Sequence, residues 1–208
     1  MLDTPQVLAF LAAALVLTAT PGPDNLMVLS MGMSRGRRAG IAFGLGCALG
    51  CLSHTLLAVI GVSALVAASP TAFTALKVAG GAYLVWMGAQ AWRHAGAVRV
   101  DSDAKDATPL RQLFVKGLVA NAINPKVVLF FLSFLPQFVV ASQGRVEWQL
   151  GLLGLVFTVQ AVALFGLLGW FSGAVGAWLN RRPSVGVWLD RLAGTVFIGL
   201  GVRMIVSR

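Results

Sequence analysis

The chain alternates between long apolar stretches and short polar connections. Six stretches are each long enough to cross about 30 Å of hydrocarbon, which takes roughly 20 helical residues. They cover residues 6–33, 40–68, 72–92, 113–140, 149–178 and 186–206. The alternating ten-residue strands that are typical of a membrane barrel are absent from the sequence. The pattern therefore predicts an all-α polytopic membrane protein with six transmembrane helices.

Two of the six stretches are interrupted by proline and polar residues. The first contains TPGPDN at residues 20–25, which places the carboxylate of Asp24 in an apolar segment. The fourth contains NAINPK at residues 121–126, which places the ammonium of Lys126 in another. Ionisable groups deep in a bilayer are costly and point to function by default. Helices one and four are therefore predicted to be broken, and the breaks are the first candidates for a site.

Proline explains how the first helix would break. Pro21 and Pro23 cannot donate backbone N–H groups, so the carbonyls of Leu17 and Ala19 lose their helical partners. We expect Thr20 to cap a new half-helix that begins with proline at its first position, residue 21. Unwound backbone is tolerated in a membrane only inside protein or beside a water-filled cavity, so this break should face inward.

The second break follows the same logic. Pro125 deprives the Asn121 carbonyl of its helical partner, and Asn124 is expected to cap the half-helix that follows. If both breaks meet at a central cavity, Asp24 and the freed carbonyls would bind an ammonium, while Lys126 and half-helix N-termini would bind a carboxylate. The ligand implied is a zwitterion. The structural alternative is a buried salt bridge between these two charges that only holds the repeats together.

The predicted substrate-binding residues all belong to the two breaks. They are Thr20, Pro21, Gly22, Asp24, Asn25, Asn121, Asn124, Pro125 and Lys126. Asp24 and His54 are candidates for a proton relay, the alternative for His54 being a histidine packed against a neighbouring helix. A different function is left open by Cys47, Cys51 and His54, which together with Asp24 would suit the efflux of a soft divalent metal cation.

Composition and charge agree with a membrane protein. Hydrophobic residues make up 58% of the 208 residues and charged ones 11%, which is more apolar side chain than a soluble domain of this size can bury. The net charge of +9 does not indicate nucleic acid, because Lys and Arg form no stripe. With the N-terminus outside, eleven of them fall on the inner side and three on the outer side. The positive-inside rule therefore predicts that both termini lie on the outer side of the membrane.

The two halves of the chain look like copies of one another. Segments 77–84 and 191–198 share the order base, aliphatic, Ala, Gly, two small or aliphatic residues, aromatic, aliphatic. We interpret residues 1–208 as one transporter domain, with repeat one at about 1–93, a cytoplasmic linker at about 94–112 and repeat two at about 113–208. Because each half has an odd number of helices, the prediction is a 3+3 inverted repeat.

Motifs for nucleotide or hydrolytic chemistry are absent from the sequence. It contains no Walker motif, no nucleophile elbow and no zinc-binding HExxH pair. Neither an enzyme nor an ATP-driven pump is therefore predicted, and no cofactor is expected. Secondary transport is the function class that the paired breaks support.

Several motifs occur in the order typical of a known family. Residues 21–25, with the sequence PGPDN, are followed by motifs at 35–40, 46–50, 76–88, 114–117, 121–126 and 135–138. Together they resemble the lysine exporter superfamily, the LysE/RhtB type amino-acid efflux proteins, and in particular its homoserine lactone and threonine efflux branch. The resemblance covers nearly the whole chain.

This resemblance implies a multi-pass amino-acid exporter of the bacterial inner membrane, driven by proton antiport and assembled as a homo-oligomer. The site residues it suggests are Pro21, Gly22, Asp24, Asn121, Asn124, Pro125 and Lys126. Members of the family carry different amino acids on a shared framework. One deep acid and one deep base in this sequence favour a net-neutral substrate such as threonine, homoserine or its lactone, or leucine.

Overall fold

The computed structural model describes residues 2–20, 22–95 and 108–206. Within these ranges the chain forms α helices and contains no strand. The α helices are α1 (Thr4–Ala19), α2 (Pro23–Arg35), α3 (Arg37–Leu57), α4 (Ser63–Ala68), α5 (Pro70–Arg93), α6 (Leu110–Ala122), α7 (Pro125–Leu129), α8 (Val146–Trp170), α9 (Ser172–Arg181) and α10 (Pro183–Val206). The π-helical turns are Ala58–Val62 and Phe130–Phe134, and the 3-10 turns are Leu135–Phe138 and Ala141–Gln143.

Four helical segments are long and apolar enough to cross a membrane. They are Arg37–Leu65, Thr71–Arg93, Val146–Trp170 and Ser184–Val206. Two further candidates are bent pairs: α1 with α2, which meet at 55°, and α6 with the helical run 125–138, which meet at 50°. Counting each pair as one span gives six spans. The all-helical prediction is confirmed, and the bends fall in the two stretches where breaks were predicted.

The ends of two predicted segments differ from the structure. The fifth stretch was expected at 149–178, but α8 ends at Trp170 and a separate helix, α9, begins at Ser172. The linker was expected at 94–112, but α6 already begins at Leu110. Residues 96–107 of that linker, with the basic residues Arg99 and Lys105, lie outside the described residues.

Helix α3 lies in the centre of the described bundle and packs against α2, α6 and α8. Small residues allow this close packing. A Cβ added to Gly44 would lie 3.1 Å from the Phe165 backbone on α8. One added to Gly50 would lie 2.9 Å from the Asn121 side chain on α6. Both glycines therefore bring α3 against helices that carry cavity residues.

Helices α5 and α10, which carry the repeated segments 77–84 and 191–198, pack against each other. Gly81 of α5 faces Gly201 of α10, and Gly88 of α5 faces Gly194. Since the numbers rise along one helix as they fall along the other, the pair is antiparallel. Antiparallel packing is what an inverted repeat requires of these helices, while the 3+3 repeat itself stays a prediction.

An aromatic cluster fills the core beside the second break. The π-helical turn that follows α7 carries Phe130 and Phe131, whose ring centroids lie 5.3 Å and 4.9 Å from that of Phe157 on α8. Phe10 of α1 packs on Phe130 at 6.2 Å. Single π-helical turns occur often at functional sites. Here the turn fixes the broken fourth span against α1 and α8.

A polar cavity between the two helix breaks

The two breaks open onto one cavity. Six helices contribute its walls, namely α1, α2, α3, α6, α7 and α8, together with the residues that join them. The lining residues are Leu17, Thr18, Gly22, Pro23, Asp24, Asn25, Cys51, Asn121, Asn124, Lys126, Val127, Phe157 and Phe165. Asp24 and Lys126, the two charges that the sequence places deep in apolar stretches, both line it.

At the first break, the chain leaves α1 after Ala19 and starts α2 at Pro23. The residue before α2 is Gly22, which is extended (φ −159°, ψ 176°) and gives no side-chain cap. The Thr20 hydroxyl instead donates to the Val16 carbonyl at 2.6 Å. The expectation that Thr20 caps a helix starting at residue 21 is therefore wrong. Of the two prolines, it is Pro23 that takes the first helical position, where proline is best tolerated.

The second break has the predicted cap. Asn124 is extended (φ −73°, ψ 110°), and its side-chain oxygen accepts a hydrogen bond from the Lys126 backbone N–H at 3.1 Å. Pro125 follows at the first helical position. The Asn121 carbonyl, which loses its helical partner to this proline, lies 2.9 Å from the Asn124 N–H and 3.0 Å from His54 Nε2. The freed backbone acceptor is thus satisfied inside the protein.

Asp24 is held by an amide from the opposite break. Asn121 Nδ2 donates to Asp24 Oδ2 at 2.8 Å. Both side chains are buried, with 7% of Asp24 and 1% of Asn121 exposed. The same amide's oxygen faces Cys51 Sγ of α3 at 3.5 Å, so the thiol can donate to it. Asn121 therefore connects α2, α3 and α6 through one side chain and leaves the second carboxylate oxygen of Asp24 for another partner.

Lys126 does not use Asp24 as its hydrogen-bond partner. Its Nζ donates to the Thr20 carbonyl at 3.4 Å, at the end of α1, and lies 5.2 Å from the centre of the Phe197 ring of α10. The geometry thus differs from the alternative of a direct Asp24 to Lys126 salt bridge. Each charge has its own partner within the protein, and both remain at the wall of the cavity.

Two carbonyls at the end of α1 receive side-chain donors. They are those of Thr18 and Thr20, which neighbour the Leu17 and Ala19 carbonyls that the two prolines leave without helical partners. Asn25 Nδ2 donates to the Thr18 carbonyl at 2.9 Å. The helix unwinds after Ala19, so the carbonyls at its end are the ones that side chains of the next turn can reach.

The metal alternative gains no support from the arrangement. In the ranges 2–20, 22–95 and 108–206, no group of three or more His, Cys, Asp or Glu side chains is placed to hold an ion. Cys51 faces Asn121, and His54 Nε2 faces the Asn121 carbonyl. His54 is also packed on Phe131, with ring centroids 5.6 Å apart. Asn121 therefore lies between the histidine and Asp24 and contacts both.

The predicted residues do not all occupy equivalent places. Pro125 is exposed and does not line the cavity, and Thr20 approaches it only through the carbonyl that holds Lys126. Pro21 lies outside the described residues. Thr18 and Phe157 do line the cavity, but sequence reasoning did not single them out, because they lie outside the polar motifs of the two breaks.

The sequence as a whole matches one protein family. The match to the LysE type translocator covers residues 15–208. The chain belongs to the LysE type translocator family. As a LysE type translocator it is a membrane protein of a transporter family, which agrees with the predicted secondary transport.

Several bacterial proteins are similar to this chain over nearly their full length. An uncharacterized membrane protein of Vibrio cholerae is 32% identical, with 97% of both chains covered. The homoserine/homoserine lactone efflux protein of Salmonella typhimurium is 28% identical, with 96% of both covered. The threonine efflux protein of Escherichia coli is 29% identical, with 98% of this chain and 100% of the relative covered. No solved structure matches this LysE type translocator.

Proposed function

We propose that this protein exports a small neutral amino acid by proton antiport, the substrate being of the threonine, homoserine, homoserine lactone or leucine type. One observation carries the proposal: Asp24 and Lys126 lie on separate broken helices, line the same cavity and have different protein partners. Paired breaks of this kind hold the substrate site in other secondary transporters. Two relatives are named as efflux proteins, one for homoserine and homoserine lactone and one for threonine, which supports the same class of substrate.

In the proposed complex, the substrate's ammonium binds the Asp24 oxygen that Asn121 does not occupy. The substrate's carboxylate binds Lys126 near Gly22. A Cβ added to Gly22 would lie 3.4 Å from Lys126 Nζ. Gly22 immediately precedes α2, whose first turn has no side-chain cap. Backbone N–H groups at the start of a helix attract anions, so this end favours the carboxylate. A zwitterion then balances both protein charges.

Proton coupling is assigned to Asp24. A carboxylate that binds either a proton or an ammonium makes the two occupants compete, and such competition is what antiport requires. Asn121 links this carboxylate to His54, since its amide bonds to Asp24 and its carbonyl faces His54 Nε2. We therefore keep both side chains as the candidate proton relay.

The test is release from proteoliposomes loaded with a panel of amino acids, with and without an inward proton gradient. We expect saturable release of a neutral amino acid that the gradient accelerates. Vesicles loaded with zinc or cadmium test the metal function, and the double variant Cys47→Ala with Cys51→Ala is the matched control. Release of metal that this double variant abolishes, with no release of any amino acid, would contradict the proposal.

The proposal also includes the protein's cellular location and its orientation in the membrane. The protein would lie in the bacterial inner membrane as a homo-oligomer, with both termini periplasmic. Arg35, Arg37 and Arg38 flank the short α2 to α3 connection, which this orientation places inside. A single cysteine at Ser34, in a background without Cys47 and Cys51, should resist a membrane-impermeant thiol reagent in intact cells, while one at Asp3 should react. The reverse pattern would overturn the orientation.

A further inference from the structure

A second polar pair, which carries no charge, joins a threonine that lines the cavity to a buried glutamine. Gln160 of α8 donates from Nε2 to the Thr18 hydroxyl oxygen of α1 at 2.8 Å. Thr18 lines the cavity, and its carbonyl is held by Asn25 Nδ2 at 2.9 Å. Only 6% of Thr18 and 8% of Gln160 are exposed. The threonine is thus held at two atoms: its hydroxyl oxygen by Gln160 of α8 and its carbonyl oxygen by Asn25 of α2.

The hydroxyl of Thr18 is used differently from other buried threonine hydroxyls. Those of Thr20, Thr55 and Thr158 donate to the carbonyl four residues earlier, at 2.6, 3.0 and 2.9 Å. Among the described residues, no carbonyl receives the hydroxyl of Thr18, which instead accepts from Gln160. Its hydrogen therefore remains free to donate to a ligand.

Gln160 has unused capacity as well. Its Oε1 is buried and has no hydrogen-bond partner among the described residues. Buried polar atoms are nearly always bonded, so an exception calls for an explanation. The same holds if the amide is turned over, because the hydroxyl then donates to the amide oxygen and the amide nitrogen is the atom left over. In either orientation, the pair has a hydrogen-bonding position to offer.

The remaining wall limits the shape of what binds there. Leu17, Phe157 and Phe165 are apolar and line the same cavity. They suit the carbon atoms of a small side chain, while Thr18 suits one polar atom on it. An apolar side chain of the same shape would bury the Thr18 and Gln160 groups without a partner, which costs free energy.

We propose that Thr18 binds the side-chain hydroxyl of the substrate and that Gln160 is the positioning residue that orients Thr18. The inference rests on the proposed function and narrows its substrate to a small hydroxylated amino acid over an apolar one of equal size. Two pairs of amino acids isolate the hydroxyl: threonine against valine, and homoserine against norvaline. Within each pair a hydroxyl replaces a methyl group at nearly constant shape.

The test measures exchange of each pair in proteoliposomes for the unaltered protein and four variants. We expect the unaltered protein to exchange the hydroxylated member faster than the apolar member in at least one of the two pairs, by about tenfold or more. Thr18→Val and Gln160→Leu should bring that ratio close to one, because they weaken exchange of the hydroxylated member more than exchange of the apolar one. Thr18→Ser keeps the hydroxyl and should keep the preference. Thr158→Val removes a buried hydroxyl on α8 that does not line the cavity, and should leave the ratio unchanged.

Exchange of the apolar member shows that a variant is folded. If Thr18→Val exchanges neither member, the ratios in Gln160→Leu and Thr18→Ser decide the question. Amino-acid exchange without preference in the unaltered protein, or with an undiminished preference in Gln160→Leu, would overturn the inference and leave the proposed function intact. Exchange of no amino acid at all would reject the proposed function and the inference with it.

Discussion

The two helix breaks are alike in sequence but differ in what they contribute to the cavity. The first break ends α1 and begins α2, so it presents a helix C-terminus and a helix N-terminus side by side. Asp24 lies in the first turn of α2, and Lys126 reaches the Thr20 carbonyl at the end of α1. Each charge is therefore at the helix end whose dipole stabilises it.

The second break contributes side chains. It carries Lys126 itself, and its Asn121 bonds to Asp24 while its Asn124 caps α7. The lysine sits in the first turn of its own short helix, where the dipole does not favour a cation. Its stabilisation comes from the first break instead. The comparison teaches that the two breaks are complementary and not interchangeable, even though the predicted repeat would make them equivalent.

The largest effect should come from removing the carboxylate of the first break. If Asp24 carries the proton, Asp24→Asn abolishes acceleration of efflux by a proton gradient, while exchange of substrate across the membrane continues. The measurement compares gradient-driven release with exchange in the same vesicles. Asp3→Asn is the matched control, because Asp3 caps α1 outside the cavity and Asn caps equally well. Unchanged gradient-driven release in Asp24→Asn would reject the coupling role.

Removing the ammonium of the second break should affect binding and leave coupling in place. Lys126→Gln takes away the charge that receives the carboxylate, which should raise the half-saturating substrate concentration by about 30-fold or more. The ratio of gradient-driven release to exchange should persist, because Asp24 is intact. Lys116→Gln on α6 is the control, since Lys116 is exposed and does not line the cavity. An unaltered half-saturating concentration in Lys126→Gln would show that the carboxylate binds elsewhere.

The sequence predicted what depends on polarity along the chain. The apolar stretches, the two breaks and the location of Asp24 and Lys126 at one cavity all follow from the cost of polar groups and proline in a membrane helix. The structure also has the predicted Asn124 cap, because a single proline there leaves one possible start for the helix.

What the sequence could not supply depends on packing between distant segments. Two prolines at the first break allowed two helix starts, and the choice of Pro23 over residue 21 is made by the surrounding structure. The contact between Thr18 and Gln160 joins residues 142 positions apart. Thr18 lies just before the polar motif of the first break and Gln160 lies within α8, so no local signal distinguished either from a packing residue. The available hint was that a polar threonine and a polar glutamine in two apolar helices each need a hydrogen-bond partner, which they can provide for each other.

The smallest expected effect is on thermal stability, and it tests whether a side chain caps the helix at one break and not at the other. Asn124→Ala removes a side-chain cap and should cost about 1 kcal/mol, which lowers the midpoint of thermal unfolding in detergent by about 2 to 4 °C. Thr20→Val removes only a hydroxyl bonded back within α1, so its midpoint should shift by less than half as much. Equal shifts would mean that Thr20 does stabilise the start of α2. The first break would then resemble the second more closely. Asp24 would be positioned by a capped helix start and not by its hydrogen bond from the Asn121 amide.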